Sequence, residues 1–366
     1  MSKVNPEELK APPGPPLPYK PLGGPGPSNG YFECCGAVPE PINTQNILDD
    51  GGKFVTLPDG RILEYFVYGS DQKDARVIIE FEGTGGTGKI FTQGNIPAKC
   101  KELNVKGIGI TLPGHAYSTV NVGRRVIDII ADVDEVLKVE EVDKFMVEGS
   151  SYGVPHALAV AWHYGKLDRV LAMHLHVPYL DNELAREVTP DSLVQSNPSV
   201  GTTATLQTSC SPFCMTKCIC CFCLPVCGPC MMPKDIGGYP GAGTVALQDT
   251  RRSAVHSIYG IAFNNVDDHC SNNWGFDTRE IKLSGPNQVL VSYDEGDVDV
   301  PTAHAVWLGE YFKATVNKNN TKEGHMSFTG VLLRGEFIEQ LVNMVDGKAS
   351  PLSSDEPAST EAPTSS

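Results

Sequence analysis

Short apolar runs recur along the middle of this chain, and stretches with helical periodicity separate them. Such runs, almost continuous in Val, Ile, Leu and Met, are typical of strands buried on both faces of a parallel sheet. The five runs are RVIIEF at 76–81, GIGIT at 107–111, KFMVE at 144–148, RVLAMHL at 169–175 and QVLVSY at 288–293. Amphipathic stretches at 124–139, 152–165 and 328–345 predict helices between and after these runs. The alternation predicts an α/β fold with a mostly parallel central sheet and helices on both faces.

The two ends of the chain and one internal stretch depart from this alternation. Residues 1–45 and 349–366 are rich in Pro, Gly or Ser, cannot build a core, and are expected to be disordered tails. Residues 178–285 separate two predicted strands, and a gap of roughly 100 residues is too long for a loop in a compact domain. We therefore expect a core formed by 46–177 and 286–348, with 178–285 inserted as a cap over the carboxyl edge of the sheet.

Charge and apolar content restrict the partners and the location of the protein. The net charge is −15 and Lys or Arg form no run, which argues against a nucleic-acid partner, because phosphate contacts need clustered cations. The N-terminal sequence MSKVNPEELK lacks the apolar region of a signal peptide, and no apolar run reaches the ~18 residues that would span a bilayer. We therefore expect a cytoplasmic protein whose 12 cysteines are reduced rather than paired in disulfides.

The pentapeptide GSSYG at 149–153 matches the pattern G-x-S-x-G of a nucleophile elbow. In that motif small neighbours permit a strained turn between a strand and a helix, which raises the Ser oxygen above the sheet. The pattern is short, and a second match occurs at 26–30, within the Pro-rich end and without a preceding strand. The match at 149–153 follows the predicted strand KFMVE and opens a predicted helix, so Ser151 is the candidate nucleophile.

Four acidic residues follow the predicted strand QVLVSY and are candidates to orient a catalytic histidine: Asp294, Glu295, Asp297 and Asp299. Together with the elbow, this stretch resembles the α/β-hydrolase superfamily, whose members place the acid four residues before a Pro. Pro301 then favours Asp297, with Asp294 as its rival. The later Gly324-His325 pair resembles the G-H motif of the family and precedes the last amphipathic stretch. The resemblance implies an α/β-hydrolase fold and a triad of Ser151, Asp297 and His325, in that chain order.

The same resemblance implies where the oxyanion of an acyl-transfer reaction would be held. Members of the family use two backbone N–H groups, one from the residue after the nucleophile and one from the loop after the third strand. These positions are Tyr152 and Thr84, the latter in the Gly-rich loop EGTGGTG at 82–88. Glu82 stands where the family usually has His, and this departure would fit a relative that binds without turnover.

A Cys-rich segment at 210–230 holds eight of the 12 cysteines and has three interpretations. Cys220, Cys223, Cys227 and Cys230 form two C-x-x-C pairs that could bind zinc, although the three residues between the pairs are fewer than in usual zinc fingers. The uncharged stretch at 218–233 could instead contact a membrane after S-acylation, but with three prolines it cannot cross a bilayer as a helix. In the third interpretation the thiols serve as small apolar groups in the lip of a substrate tunnel.

These observations predict a serine hydrolase that cleaves carboxylic esters through an acyl-enzyme, with lipid esters and thioesters as narrower alternatives. No organic cofactor or metal is implied by the proposed chemistry, apart from the zinc interpretation of the Cys-rich segment. A binding or scaffold protein with the same fold and no turnover is the alternative.

Overall fold

A computed structural model of the chain describes residues 42–83, 85–119, 121, 124–189, 235–236, 238–250, 252–253, 274–285 and 287–348. Within them, eight strands form one sheet: β1 Lys53–Thr56, β2 Ile62–Gly69, β3 Arg76–Phe81, β4 Val105–Ile110, β5 Phe145–Ser150, β6 Val170–His176, β7 Val289–Asp294 and β8 Thr315–Asn319. The strand order is β1-β2-β4-β3-β5-β6-β7-β8. Strands β1 and β2 form an antiparallel hairpin, β2 also pairs antiparallel with β4, and all other pairs are parallel. The prediction of a mostly parallel sheet is confirmed.

Nine helices accompany the sheet in the described residues: α1 Thr44–Asp49, α2 Ile96–Glu102, α3 Ile129–Val139, α4 Gly153–Tyr164, α5 Asn182–Val188, α6 at 242–250, α7 Thr302–Phe312, α8 Ser327–Arg334 and α9 Glu336–Val345. Helix α1 begins at Thr44, two residues before the start predicted for the core. The amphipathic stretch at 328–345 forms two helices rather than one, because Gly335 adopts a left-handed conformation with φ of 70° and ends α8.

The sheet is buried on both faces because successive residues of each inner strand point to opposite sides. On one side Ile79, Val147 and Met173 belong to an apolar cluster with residues of α3, α4 and α7. On the other side Ile78 and Met146 belong to a second cluster with residues of α2, α8 and α9. This arrangement explains why the inner strands are almost continuous in apolar residues, and it confirms the predicted helices on both faces.

Ionisable side chains interrupt the second face near the carboxyl ends of the strands. Glu80, Glu148 and His174 are register neighbours on β3, β5 and β6, and all three are fully buried. Burial raises the pKa of Glu148 to about 8, against a hydrogen bond from Ser150. Burial and the nearby Glu148 raise the pKa of Glu80 well above its usual value, and burial lowers that of His174. Burial therefore favours the neutral form of all three side chains.

The segment between β6 and β7, predicted to be an insertion, contacts the core through its described residues. Arg252 lies two positions after the last residue given for α6. Its two terminal guanidinium nitrogens bind Glu64 of β2, and its Nε binds Asp50. The Cys-rich segment at 210–230 lies outside the described residues, as do most residues of the predicted tails. No helix in the described part of the chain is long and apolar enough to cross a membrane.

Candidate active site

The candidate nucleophile lies in a tight turn between β5 and α4. Strand β5 ends at Ser150 and α4 begins at Gly153, so the whole connection consists of Ser151 and Tyr152. Ser151 has a positive φ of 50°, a backbone conformation that residues other than Gly rarely adopt. A strained backbone of this kind persists only where the surrounding structure holds it in place, and it is often found at functional sites.

The two glycines of the pentapeptide permit the close packing that this turn needs. A Cβ on Gly153 would lie 2.0 Å from the carbonyl oxygen of Phe81 at the end of β3. A Cβ on Gly149 would lie 2.7 Å from the carbonyl oxygen of Gly153 and 2.8 Å from Cβ of Ala157. Glycine is required at both positions because any side chain would push α4 away from the sheet.

His325 lies beside the serine, although 174 positions separate the two residues in the chain. It is in the short 3-10 helix Gly324–Met326 that follows β8 and leads into α8. Its Nε2 atom is 2.9 Å from Ser151 Oγ, and its ring packs against Phe328 at 5.6 Å between centroids. The imidazole side chain is 12% exposed, so most of it is shielded from solvent.

Asp297 lies on the other side of the imidazole, in the turn after β7. Its Oδ2 atom is 2.7 Å from His325 Nδ1, and its side chain is 3% exposed. Its Oδ1 atom accepts the backbone N–H groups of Asp299 and Val300, each at 2.9 Å. These two bonds orient the carboxylate, which in turn holds the histidine with Nδ1 towards it and Nε2 towards the serine.

Asp294, the rival acid, is fully buried but faces a different set of partners. It accepts hydrogen bonds from the backbone and hydroxyl of Thr321, from Ser327 Oγ and from the backbone of Gly296. Burial opposes its ionisation, but these hydrogen bonds outweigh burial and lower its pKa. Asp294 therefore ties the turn that carries Asp297 to the segment before His325.

His304 also follows the acidic turn but does not lie in this chain of hydrogen bonds. It is buried on α7, where one ring nitrogen is 3.0 Å from Thr189 Oγ1 and the other accepts the backbone N–H of Leu180 at 3.4 Å. Burial lowers its pKa to about 4. The environment is that of a neutral structural histidine.

The two predicted oxyanion positions differ in what the structure describes. Tyr152 lies between Ser151 and the start of α4, and its hydroxyl accepts a hydrogen bond from buried Arg124 at 3.1 Å. Thr84 lies outside the described residues. Its neighbour Gly83 packs against Ser151, since a Cβ there would lie 3.0 Å from Ser151 Cβ and 3.5 Å from Ser151 Oγ. The loop after β3 thus reaches Ser151.

Two buried residues near the site were missed by sequence reasoning. Arg124 contacts Tyr152 and also lies 3.3 Å from the ring of His156 on α4. Asp249, in the inserted segment, hydrogen-bonds to Thr87 in the loop after β3. Neither residue stands in a local motif, and Asp249 is 162 positions from its partner, so no sequence pattern indicated these contacts.

Asp297, Asp299 and His325 also present three potential metal ligands within 4.8 Å of one another. A cation bound at Nδ1 of the imidazole would have to break its 2.7 Å contact with Asp297. The geometry therefore fits a hydrogen-bonded triad better than a metal site. The four cysteines of the zinc interpretation, Cys220, Cys223, Cys227 and Cys230, lie outside the described residues.

No family model and no curated protein matches the sequence. Solved structures match the fold over most of their length. An esterase from a Rhodococcus species has a TM-score of 0.57 at 16% identity, covering 82% of this chain and 100% of that one. An enol-lactonase from Burkholderia xenovorans has a TM-score of 0.54 at 16% identity, covering 80% and 100%. An epoxide hydrolase has a TM-score of 0.58 at 15% identity, covering 81% and 98%.

At this level of identity the likeness concerns the fold rather than the reaction, since one fold serves many chemistries. It agrees with the strand order of the sheet and with the tight turn between β5 and α4 described above. The chain therefore has the α/β-hydrolase fold.

Proposed function

We propose that this protein is a serine hydrolase that cleaves carboxylic esters, with Ser151 as nucleophile, His325 as base and Asp297 as the acid that orients the base. The observation that carries the proposal is a pair of hydrogen-bond contacts in series. Ser151 Oγ is 2.9 Å from one nitrogen of His325, and Asp297 Oδ2 is 2.7 Å from the other. This is the geometry that nucleophilic catalysis by a serine needs.

In the proposed reaction, His325 Nε2 accepts the proton of Ser151 Oγ while Oγ attacks the carbonyl carbon of the ester. The carbonyl oxygen becomes an oxyanion, for which the backbone N–H groups of Tyr152 and Thr84 are the predicted donors. The C–O bond to the alcohol then breaks, and Nε2 returns its proton to the departing alkoxide. Water, deprotonated by the same nitrogen, attacks the acyl-enzyme and releases the carboxylic acid and the free serine.

The proposal is tested by labelling with a fluorophosphonate, which reacts only with an activated serine, and by hydrolysis of short p-nitrophenyl esters. Wild type is expected to be labelled, and Ser151→Ala is expected to lose both labelling and hydrolysis while keeping its circular dichroism spectrum. Ser28→Ala, at the second G-x-S-x-G match, is the control and is expected to keep full activity. Retention of more than about one per cent of wild-type activity in Ser151→Ala would contradict the assignment.

The alternative function, binding without turnover, is favoured by one residue. Glu82 occupies the position of the usual family His at the start of the loop after β3, and it is buried there. A folded wild-type protein that neither reacts with the fluorophosphonate nor hydrolyses any short ester would support this alternative.

A lipid or thioester substrate is a narrower proposal, and it is linked to membrane attachment of the Cys-rich segment at 210–230 after S-acylation. Both rest on the sequence alone. Cell fractionation is expected to recover wild type with membranes, and to lose it from them after hydroxylamine or in a variant with Cys218, Cys220, Cys221 and Cys223 changed to Ser. A soluble wild type would refute the attachment, and stoichiometric zinc lost in the same variant would favour the metal interpretation.

A further inference from the structure

The loop after β3, residues 82–88, is held against the nucleophile by contacts of its own; we call it the oxyanion loop. Gly86 donates its N–H to the carbonyl of Gly83 at 3.0 Å, which closes a tight turn. Gly88 donates to the hydroxyl of Thr111 at 3.0 Å, which fixes the far end of the loop to the core. The near end contacts Ser151 through Gly83. The middle of the loop remains to be positioned.

The segment between β6 and β7 contacts Gly85 and Thr87, which lie between these two ends of the loop. Asp249 of α6 accepts the backbone N–H of Thr87 at 2.7 Å and its hydroxyl at 2.5 Å. Both residues are buried. The next residue of α6, Thr250, lies over Gly85, since a Cβ on that glycine would be 3.4 Å from Thr250 Cγ2. Two consecutive residues of the insertion thus touch two positions of the oxyanion loop.

A carboxyl group is an unfavourable choice for a merely structural contact at this place. Burial raises the pKa of Asp249 to about 7, although the bonds from Thr87 act in the opposite direction. Glu82, at the start of the loop, is also buried, and burial together with Asp249 and Glu148 raises its pKa well above the usual value. Its side chain passes directly beneath Gly86, where a Cβ would lie 1.9 Å from Glu82 Cγ. Gly86 and Thr87 of the oxyanion loop therefore lie beside two buried acids, Glu82 and Asp249, that repel each other when ionised.

We propose that Asp249 is a positioning residue for the oxyanion loop, so that the segment between β6 and β7 takes part in catalysis. By holding Thr87 with two hydrogen bonds, Asp249 fixes the loop that carries the predicted oxyanion donor Thr84. The proposal rests on the proposed hydrolase function. It extends that function by assigning to the insertion a role in transition-state stabilisation, which depends on donor positions to within a fraction of an ångström.

The test compares Asp249→Ala and Asp249→Asn with wild type in kcat, KM and the rate of fluorophosphonate labelling. Loss of one oxyanion donor costs about 10²- to 10³-fold in kcat, so displacement of a loop that carries one is expected to cost about 10- to 100-fold. KM is expected to change by less than about threefold, because the ground-state ester makes weaker use of the donors. Asp249→Asn keeps one carbonyl oxygen for the backbone N–H of Thr87, so it is expected to recover part of kcat.

Arg252→Lys is the matched control, because Arg252 belongs to the same part of the insertion but binds Glu64 and Asp50 instead of the oxyanion loop. It is expected to lower the unfolding temperature while leaving kcat near the wild-type value. Thr87→Val, which removes only the hydroxyl, is expected to lower kcat and to show a reduced further loss when combined with Asp249→Ala.

The outcomes separate the two proposals. A wild type without labelling or hydrolysis would refute the hydrolase function itself. An active wild type with unchanged kcat in Asp249→Ala would refute the positioning role. The positioning role would also be refuted if kcat in Asp249→Ala fell only in proportion to the fraction of unfolded protein. In that case Arg252→Lys, compared at equal stability, would show the same loss of kcat.

Discussion

Replacing Asp297 by Asn changes one atom of the candidate triad and leaves its surroundings in place. The side-chain oxygen of Asn can still accept the backbone N–H groups of Asp299 and Val300, both at 2.9 Å in the wild type. The new NH₂ group then takes the place of Oδ2, 2.7 Å from Nδ1 of His325. Two donors cannot face each other, so the imidazole is expected to carry its proton on Nε2. In that tautomer Nε2 cannot accept the proton of Ser151.

The expected magnitude follows from this tautomer change and from the loss of the charge that stabilises the imidazolium. Together they are expected to lower kcat by about 10⁴-fold, or about 5.5 kcal/mol in activation free energy. The free energy of unfolding is expected to change by no more than about 1.5 kcal/mol, because the two backbone hydrogen bonds to Oδ1 are retained. Catalysis and stability are therefore predicted to separate clearly.

The assay is hydrolysis of a short p-nitrophenyl ester, with kcat and KM measured alongside thermal unfolding. Asp299→Asn is the first control, because that side chain is exposed, and it is expected to keep most of the activity. Asp294→Asn is the second control. It is expected to destabilise the protein, since Thr321 and Ser327 lose a shared carboxylate acceptor, with a loss of kcat below about 10-fold. A crippling loss in Asp294→Asn beside a nearly active Asp297→Asn would refute the assignment of the acid.

Two further predictions concern buried positions outside the triad. The pKa of Glu148 is about 8 in the folded protein and about 4.5 in the unfolded chain. Between these pH values the unfolded chain loses a proton that the folded protein keeps, so the free energy of unfolding is expected to fall as pH rises, by at most about 1.4 kcal/mol per pH unit. Glu148→Gln is expected to remove this contribution, and urea unfolding curves at both ends of the window with equal pH slopes for the two proteins would contradict it. Gly153→Ala would place Cβ 2.0 Å from the carbonyl oxygen of Phe81 and is expected to lower the free energy of unfolding by about 3 kcal/mol or more. Gly309→Ala is the control, because its Cβ would meet only the side chain of Val316, at 3.0 Å. It is expected to cost less than about 1 kcal/mol in the same unfolding assay.

The strands that are buried on both faces could be predicted from the sequence because their apolar runs report that burial directly. β8 could not, since it is an edge strand with the sequence TVNKN and alternating exposed residues, and it carries no apolar run. The break between α8 and α9 was also missed, because a single glycine inside an amphipathic stretch is compatible with a continuous helix. Its left-handed conformation is visible only in the fold.

The candidate site also has residues whose positions could be predicted from the sequence and residues whose positions could not. Ser151, Asp297 and His325 each stand in a short motif, so their mutual approach could be predicted from pattern and chain order, although their catalytic roles stay predictions. Asp249 stands in no motif. Its contact with Thr87 depends on how α6 packs on the core, and packing between distant segments leaves no periodic signal in the sequence.

The long separation of β6 from β7 in the sequence also determines when the sheet can be completed during synthesis on the ribosome. Strands β1 to β6 and the turn with Ser151 lie within 53–176, whereas β7 begins at Val289. Until roughly 110 further residues have emerged, β6 has a partner on one side only, and its other edge exposes unpaired backbone groups. A fragment that ends near residue 180 would carry the serine without its acid and its base. We expect such a fragment to aggregate through pairing of its open β6 edges, whereas in the full-length chain β7 covers that edge.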